Sequence, residues 1–315
     1  MTPYRHSKLQ HGVAIVMALL LTALTVTLVT NLFWPQQVQI RLLENQRLQS
    51  QTKWILRARL DWALEILRVD SLSSSNDTLD EAWAKPTEET LFNTNIEHIR
   101  ADTHQSNAKL SGYITDAQSL YNLLNLVSAS DWKTVPTEVA VYQRILISLK
   151  LNPNLAQITA NAISATRENG NGKVSKTKKF TKLEDLLNIP GYTPEILNSL
   201  NNSISILRRQ TPLNINTASA EILAARIDHL SLADATALIE RRKRASFLDI
   251  ESFKAQLLER VPTAAVNKLT TSQISTQTNN FIIHSKLHSH QTVSEMTALV
   301  ERSGNRIKII WADEI

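Results

Sequence analysis

Residues 11–34 read HGVAIVMALLLTALTVTLVTNLFW, and this stretch decides how the rest of the chain is organised. The 18 residues from Val13 to Thr30 comprise 14 apolar residues and four threonines, and no charged residue occurs between Val13 and Ile40. A helix of 18 residues is about 27 Å long, close to the hydrocarbon thickness of a bilayer, which is about 30 Å. Threonine hydroxyls bond to carbonyls of their own helix, so lipid tolerates them. The stretch therefore predicts a transmembrane helix.

The charges on either side of this helix predict its orientation. Arg5 and Lys8 precede it, no acid occurs in the first 12 residues, and residues 36–39 on the far side read QQVQ. Positive charge is retained on the cytoplasmic side of a membrane. We therefore expect a short cytoplasmic N-terminus, with the chain from about residue 35 onward on the opposite side.

The position of the cleavage signal separates two kinds of N-terminal segment. Hydropathy alone favours an ordinary signal anchor or a cleavable secretory signal. A secretory cleavage site would follow the apolar run at small residues, but residues 31–35 read NLFWP. A candidate cleavage position instead precedes the apolar run, between Gly12 and Val13. A short basic leader that ends in glycine before an apolar helix resembles the class III signal of prepilins and pseudopilins, which prepilin peptidase cleaves after the glycine.

The helical pattern continues beyond the apolar segment. Pro35 lacks a backbone N–H, so a kink or local melting is expected there. Apolar residues recur over 40–67 mainly at spacings of three, four and seven, with Gln and Arg between them. The pattern predicts one stem helix from Val13 to about Arg68, and residues 71–90, rich in Ser, Asn and Asp, are predicted to form a loop.

Strand patterns lie on both sides of a long helical block. Residues 128–270 have mainly helical patterns, and Ser303-Gly304-Asn305 is typical of a hairpin turn between two late strands. The sequence therefore predicts an α+β fold in which a helical insertion interrupts an antiparallel sheet. The predicted strands cover residues 96–103, 109–116, 280–290, 293–301 and 306–311.

Besides the leader, five short motifs in order make the chain similar to the K-type minor pseudopilins of type II secretion, general secretion pathway protein K. They are residues 36–45 (QQVQIRLLEN), 79–84 (LDEAWA), 112–118 (GYITDAQ), 121–126 (YNLLNL) and 213–219 (LNINTAS). The resemblance implies a pilin-like long N-terminal helix packed on an antiparallel sheet, with a large inserted all-helical domain that is SAM-like or helix-hairpin-helix-like. The implied parts are a leader (1–12), a transmembrane and stem helix (13–70), a first part of the head (71–127), the helical insertion (128–270) and the C-terminal strands of the head (271–315).

The resemblance also assigns roles to three positions near the N-terminus. It implies cleavage by prepilin peptidase between Gly12 and Val13, and N-methylation of the new terminus at Val13. Most pilins carry a glutamate at the fifth mature position, where it is held to neutralise the terminal amine of a neighbouring subunit, whereas this chain has Met17. Burying an unpaired ammonium group is costly, so a subunit without that acid is expected at the tip, where no subunit lies ahead of it.

The implied function is assembly. A K-type minor pseudopilin initiates and caps the pseudopilus and supports protein export across the outer membrane. The resemblance implies a single-pass inner-membrane protein with most of its chain in the periplasm. The implied partners are the I- and J-type minor pseudopilins, the major pseudopilin, prepilin peptidase and the inner-membrane secretion platform.

Composition excludes several classes of enzyme. The chain of 315 residues has six glycines and neither a P-loop nor a dinucleotide-binding fingerprint, which argues against nucleotide chemistry. Without cysteine it forms no disulfide, thiolate metal site or cysteine nucleophile. No nucleophile elbow, HExxH or comparable pattern occurs. We therefore expect no catalytic role and no cofactor.

The alternative function is that of a membrane-anchored helix-hairpin-helix DNA-binding component of a DNA-uptake or type IV pilus system. Residues 183–191 and 214–253 resemble such units, and residues 241–244 form a basic cluster, RRKR. However, the hairpin at 227–231, IDHLS, lacks glycine and places Asp228 where a phosphate would bind. The net charge of +5 is small for this length. We therefore expect no nucleic-acid binding, and we expect the basic cluster to be a solvated helix end or a protein-contact patch.

Three histidines in the last part of the chain are candidate metal ligands. His284, His288 and His290 share parity on one predicted strand. At the rise of a strand, positions 284 and 288 lie about 13 Å apart, too far for a common ion. We expect ordinary exposed or packed histidines and no metal site.

Acidic residues are also predicted not to form a metal site. The resembled family binds calcium through acid-rich loops, but here residues 161–172 offer only Glu168, and the Asp131-Trp132 pair is followed by Lys133. A hard cation would find too few charged oxygens there, so no calcium site is expected in that segment. Five further acids are predicted to be solvated loop acids and not a general acid and base pair: Asp77, Asp80, Glu81, Glu88 and Glu89.

Overall fold

The computed structural model describes residues 11–93, 107–166, 180–289 and 292–314. Its contacts divide the chain into two compact units, residues 1–57 and residues 58–315. The strand predicted at 96–103 lies outside the described residues, as do residues 167–172 of the segment considered for calcium and His290.

A single helix of 63 residues, α1, runs from His11 to Ser73. It is continuous through Pro35, so the helix does not melt there, while the kink expected as the other possibility stays a prediction. A proline removes one hydrogen bond of the helical ladder, while residues on either side keep theirs. The helix also extends past the predicted end near Arg68. The hydroxyls of Ser71 and Ser73 bond to carbonyls of the preceding turn and so support this last part of the helix.

In the described part of the second unit, the sheet has five strands, all antiparallel to their neighbours, in the order β1-β2-β7-β8-β9. β1 and β9 are its edges. Two short parallel pairs, β3 with β4 and β5 with β6, lie outside it. In chain order the strands are β1 (Thr87–Asn93), β2 (Asn107–Asp116), β3 (Tyr121–Asn122), β4 (Ile204–Ser205), β5 (Leu213–Asn214), β6 (Ile274–Ser275), β7 (Asn280–Ser289), β8 (Thr292–Ser303) and β9 (Arg306–Glu314).

The late strands and their turn agree with the sequence patterns. β8 and β9 are joined by a two-residue turn, and Gly304 in this turn has a φ of 57°. Met296, Ala298 and Val300 are buried along one face of β8. β1 begins at Thr87, within the residues 71–90 that the sequence predicts to be a loop. Its Thr/Glu pattern has little apolar alternation, and its pairing with β2 supplies the backbone bonds.

The chain between β2 and β7 is mainly helical and builds its own apolar core. Four of its helices begin at a Ser, Thr or Asp whose side chain accepts a backbone N–H, namely Thr193, Ser219, Ser231 and Asp249. The core contains fully buried residues from several of these helices. The helices are α2 (Pro136–Ser148), α3 (Leu155–Ser164), α4 (Pro194–Leu200), α5 (Ala220–Arg226), α6 (Leu232–Arg242), α7 (Ile250–Leu257) and α8 (Thr263–Asn267).

The predicted α+β fold is therefore confirmed. A long N-terminal helix, an antiparallel sheet and a mainly helical stretch between sheet strands are all present. Within the second unit, the end of α1 contacts the sheet: the Arg59 guanidinium lies beside Gly112 of β2, and Arg68 and Asp70 bond to Asn305 and Arg302 at the β8–β9 end.

Gly112 is the position where the sheet most clearly requires glycine. A Cβ there would lie 2.5 Å from the His284 carbonyl oxygen and 3.2 Å from two nitrogens of the Arg59 guanidinium. We expect Gly112→Ala to lower the free energy of unfolding by about 1–3 kcal/mol, since backbone cannot move aside cheaply. Urea unfolding measures this loss. Ser111→Ala, the adjacent half-buried position, is the control, and an equal loss in both variants would contradict the role assigned to Gly112.

Candidate functional site

The N-terminal half of α1 has the properties of a membrane anchor. Residues Gly12–Asn31 have a mean hydropathy of 2.5, and none of them is buried within the protein. The four threonine hydroxyls of this segment bond back to carbonyls of the same helix, as predicted: Thr22 to Leu19, Thr25 to Leu21, Thr27 to Ala23 and Thr30 to Val26. This leaves no threonine side-chain donor unpaired toward lipid. The segment therefore fits a transmembrane anchor.

The three site residues predicted from the sequence lie in the first turns of α1. Val13 and Met17 are exposed, by 56% and 61%. Gly12 is also helical, and no described atom lies within 4 Å of where its Cβ would be. The φ angle of Gly12 is not positive. Glycine weakens a helix by about 1 kcal/mol relative to alanine. Neither packing nor backbone conformation explains why a glycine occurs at position 12.

The end of α1 is held by one buried arginine of β8. Arg302 donates Nη1 to an Asp70 carboxylate oxygen at 3.0 Å and Nη2 to the Asp77 carboxylate. Nη2 also donates to the Thr278 carbonyl at 2.7 Å, and the guanidinium lies over the ring of Phe281 at 4.8 Å. Arg302 therefore joins the helix end, the loop after it and the sheet through charge-assisted hydrogen bonds.

Asp77 and Glu81 are not the solvated loop acids predicted from the sequence. Asp77 is buried, and Glu81 is half-buried and accepts hydrogen bonds from the Thr78 backbone and the Trp83 indole. The prediction was wrong because polar composition around residue 77 gives no sign of Arg302, which lies over 200 residues away in the sequence. Asp80 is exposed, as predicted.

The carboxylates around Arg302 are crowded. Oxygens of Asp70, Asp77 and Glu81 lie within 4.8 Å of one another. Burial, together with the charges of Glu81 and Asp77, raises the pKa of Asp70 to about 6. Burial also raises the pKa of Asp77, although hydrogen bonds from Thr278 and Arg302 oppose it. Arg302 supplies the positive charge on which this cluster depends.

A second buried carboxylate joins the sheet to the helical stretch. Asp116, at the end of β2, accepts bonds from the Gln118 N–H at 2.7 Å, Asn214 Nδ2 at 2.9 Å, Thr217 Oγ1 at 2.5 Å and Thr278 Oγ1 at 2.6 Å. Because burial outweighs these bonds, the pKa of Asp116 is raised to about 6. We call this group, Asp116 with its four donors, the Asp116 joint.

The Asp116 joint and one aromatic contact explain why several of the five motifs occur together. Asp116 belongs to the motif at 112–118, and its donors Asn214 and Thr217 belong to the motif at 213–219. In the motif at 79–84, the buried Trp83 packs edge-on against Phe281, with ring centroids 5.2 Å apart. The motifs therefore supply contacts between distant parts of the second unit, which sequence reasoning identified only as patterns.

The hairpin between α5 and α6 differs from a phosphate-binding hairpin. Asp228 forms an ion pair with Arg144 of α2 at 3.1 Å, and the Arg144 Nε donates to the Ala225 carbonyl at 2.6 Å. His229 has a φ of 66°, a conformation usually taken by glycine. The acid of the hairpin is therefore paired within the protein.

The basic cluster 241–244 is only partly solvated. Arg241, Lys243 and Arg244 are exposed, but Arg242 is buried and donates to the carbonyls of Ile215 and Ala218, at 2.7 and 2.8 Å. Burial lowers the pKa of Arg242 to about 10. The prediction of a solvated helix end is wrong for Arg242, because its side chain holds the carbonyls of the 213–219 motif.

The residues considered as metal ligands have other contacts. His284 stacks on Tyr113 with ring centroids 4.4 Å apart, and burial lowers its pKa. His288 is exposed. Asp131 forms an ion pair with Lys133 at 3.1 Å. The structure does not bring these side chains together.

Two comparisons with known proteins found similarity to components of type II secretion systems. The family model described as type II secretion system (T2SS), protein K, matches residues 213–276. Among solved structures, a chain of the GspK-GspI-GspJ complex from the type 2 secretion system of enterotoxigenic Escherichia coli matches with a TM-score of 0.68 at 18% identity. The match covers 86% of this chain and 98% of that chain, which shows a shared fold. No curated protein matches the sequence significantly.

The Asp116 joint predicts a specific pH dependence. The pKa of Asp116 is raised from 3.8 to about 6 on folding, so between these values the folded state holds a proton that the unfolded state has lost. Its contribution to stability is therefore fully present below about pH 4 and is lost as pH rises through about 6. The loss is about 2–3 kcal/mol.

Asp116→Asn removes this titration. From pH 4 to pH 7, the free energy of unfolding of the wild type should therefore fall relative to that of the variant. Urea unfolding at a series of pH values measures it. Asp80→Asn, at an exposed loop acid, serves as the control. Parallel pH curves for wild type and Asp116→Asn would contradict the assignment.

Proposed function

We infer that the chain is a K-type minor pseudopilin of a type II secretion system, the family that the leader and the five motifs resemble. The match of residues 213–276 to protein K carries this conclusion, and the structural match supports the fold. The matched segment includes Asn214 and Thr217, which bond to Asp116 of another of the five motifs. The family segment is therefore built into the head rather than appended to it.

We propose that the chain is processed between Gly12 and Val13 and that the apolar helix is retained. The geometry supports this because Gly12 has neither a packing nor a conformational role in α1, so recognition by prepilin peptidase explains a glycine there. The mature protein then begins at Val13, which becomes N-methylated. It stays in the inner membrane through residues 13–31 and places its head in the periplasm, where the inserted helical domain spans residues 128–270.

We propose that the subunit occupies the tip of the pseudopilus and initiates its assembly. In a bundle of apolar helices, the terminal ammonium group of each mature subunit needs a carboxylate on its neighbour. Met17 offers none, and the helix from Val13 to Ile40 carries no acid. A subunit with this helix is tolerated ahead of the others, where no further amine has to be neutralised.

The partners proposed at the tip are the I- and J-type minor pseudopilins. The solved complex that shares the fold contains GspI and GspJ. In this chain, the last part of α1 exposes Trp62, Val69 and Leu72, by 49%, 51% and 66%. The spacing of seven and three residues places them on one helix face. This face fits an apolar partner helix, and the major pseudopilin and the inner-membrane secretion platform are proposed contacts of the assembled pseudopilus.

Mass spectrometry of the N-terminus tests the processing. In cells with prepilin peptidase, we expect a mature chain that begins at N-methylated Val13. Gly12→Leu should accumulate as the unprocessed 315-residue chain, because a large side chain at the cleavage position blocks the peptidase. Gly304→Ala, a change in the distant hairpin turn, is the processing control. A mature terminus anywhere other than Val13 would contradict the proposal.

Co-purification tests the helix face. Val69→Asp places a charge on the exposed face at Trp62, Val69 and Leu72, so the affinity for I- and J-type minor pseudopilins should fall at least about tenfold. Leu258→Asp, at an exposed leucine after α7, is the matched control and should bind as wild type does. Equal binding by the Val69 variant and wild type would exclude this face as the interface.

A further inference from the structure

Arg59 of α1 is a buried cation with most of its hydrogen-bond donors unused. The residue is 5% exposed. Nη2 donates to the Thr87 hydroxyl at 2.6 Å. Nε and Nη1 are buried and have no hydrogen-bond partner among the residues that the structure describes. Native proteins rarely leave buried donors in this state, so the group calls for an explanation.

A second unused donor lies in the same row of the sheet. Gly112 of β2 pairs in register with Thr87 of β1 on one side and with Ser285 of β7 on the other. The Arg59 guanidinium lies against Gly112, and Ser285 Oγ is buried without a partner in the described part of the chain. Side chains of directly paired positions lie on the same face of a sheet, about 5 Å apart, so the Ser285 side chain lies on the face of β7 that the Arg59 guanidinium covers at Gly112.

The charge of Arg59 is also uncompensated. Arg59 forms no ion pair with a described carboxylate, and burial lowers its pKa. The Trp62 ring, with its centroid 4.5 Å from the guanidinium carbon, is its cation–π partner. Such a contact offsets part of the cost of burying a guanidinium, but it accepts no N–H bond from Nε or Nη1.

We propose that Arg59 and Ser285 form a binding site for a small monovalent anion of the chloride class. The unused groups are N–H donors of the Arg59 cation and the neutral hydroxyl of Ser285, so the site repels metal cations and favours an acceptor with negative charge. A water molecule accepts the same bonds but leaves the charge unpaired. The anion would fasten α1 to β1, β2 and β7, and this inference does not depend on the proposed function.

Thermal unfolding of the full chain in detergent tests the site. Sodium chloride should raise the midpoint saturably by about 2–4 °C over sodium gluconate at equal ionic strength, since a bound anion stabilises only the folded state. Arg59→Met should lose this difference and Ser285→Ala should reduce it. Arg68→Met, at a half-exposed arginine of the same helix, should keep it. Equal midpoints of the wild type in the two salts would overturn the proposal.

Crystals grown in sodium bromide supply a second test that needs no variant. We expect an anomalous peak within about 3.5 Å of Arg59 Nε or Nη1 and of Ser285 Oγ. A peak absent from this position would overturn the proposal, as would a carboxylate of Glu88 or Glu89 found bonded to Arg59. In the latter case Glu88→Gln or Glu89→Gln, and not chloride removal, would lower the unfolding midpoint.

Discussion

The helix α1 has to be stable in an apolar surrounding near its N-terminus and packed against the head near its C-terminus. The rest of the structure depends on that constraint. Residues Gly12–Asn31 of α1 are apolar and unburied, so only lipid or other apolar helices can cover them. The last turns of the same helix bury Leu60, Ala63 and Leu67 almost completely. Removal of the apolar segment would separate the head from its anchor, whereas removal of the leader alone leaves both. A retained helix is therefore the simplest account of an apolar run without a cleavage site after it.

The head is joined by buried polar groups as well as by apolar packing. Arg302 connects the end of α1 with the loop after it, and Asp116 connects β2 with the motif at 213–219. Buried polar groups cost free energy unless their bonds are complete, and Asp116 has four donors around it. Such contacts favour one arrangement of sheet and helices over others, because a shifted register would leave the same groups unpaired.

Local patterns predicted much of the fold. The apolar run predicted the anchor helix, and alternation of apolar and polar residues predicted β7, β8 and β9. Ser303-Gly304-Asn305 predicted the turn between β8 and β9. Long-range pairing explains what was missed. β1 has little alternation and forms through its ladder with β2, while Asp77 and Arg242 look solvated in sequence but are buried against partners far along the chain. Of the candidate site, Gly12, Val13 and Met17 could be named from the leader, whereas the Asp116 joint required the folded chain.

The position of the subunit in the filament is the central claim, and labelling tests it most directly. The chain has no cysteine, so Leu258→Cys, at an exposed position after α7, provides a single thiol for maleimide-gold. Electron microscopy of sheared pseudopili that contain this variant would locate the head. The account predicts one gold particle per filament, at one end. Particles spaced along the filament would contradict it.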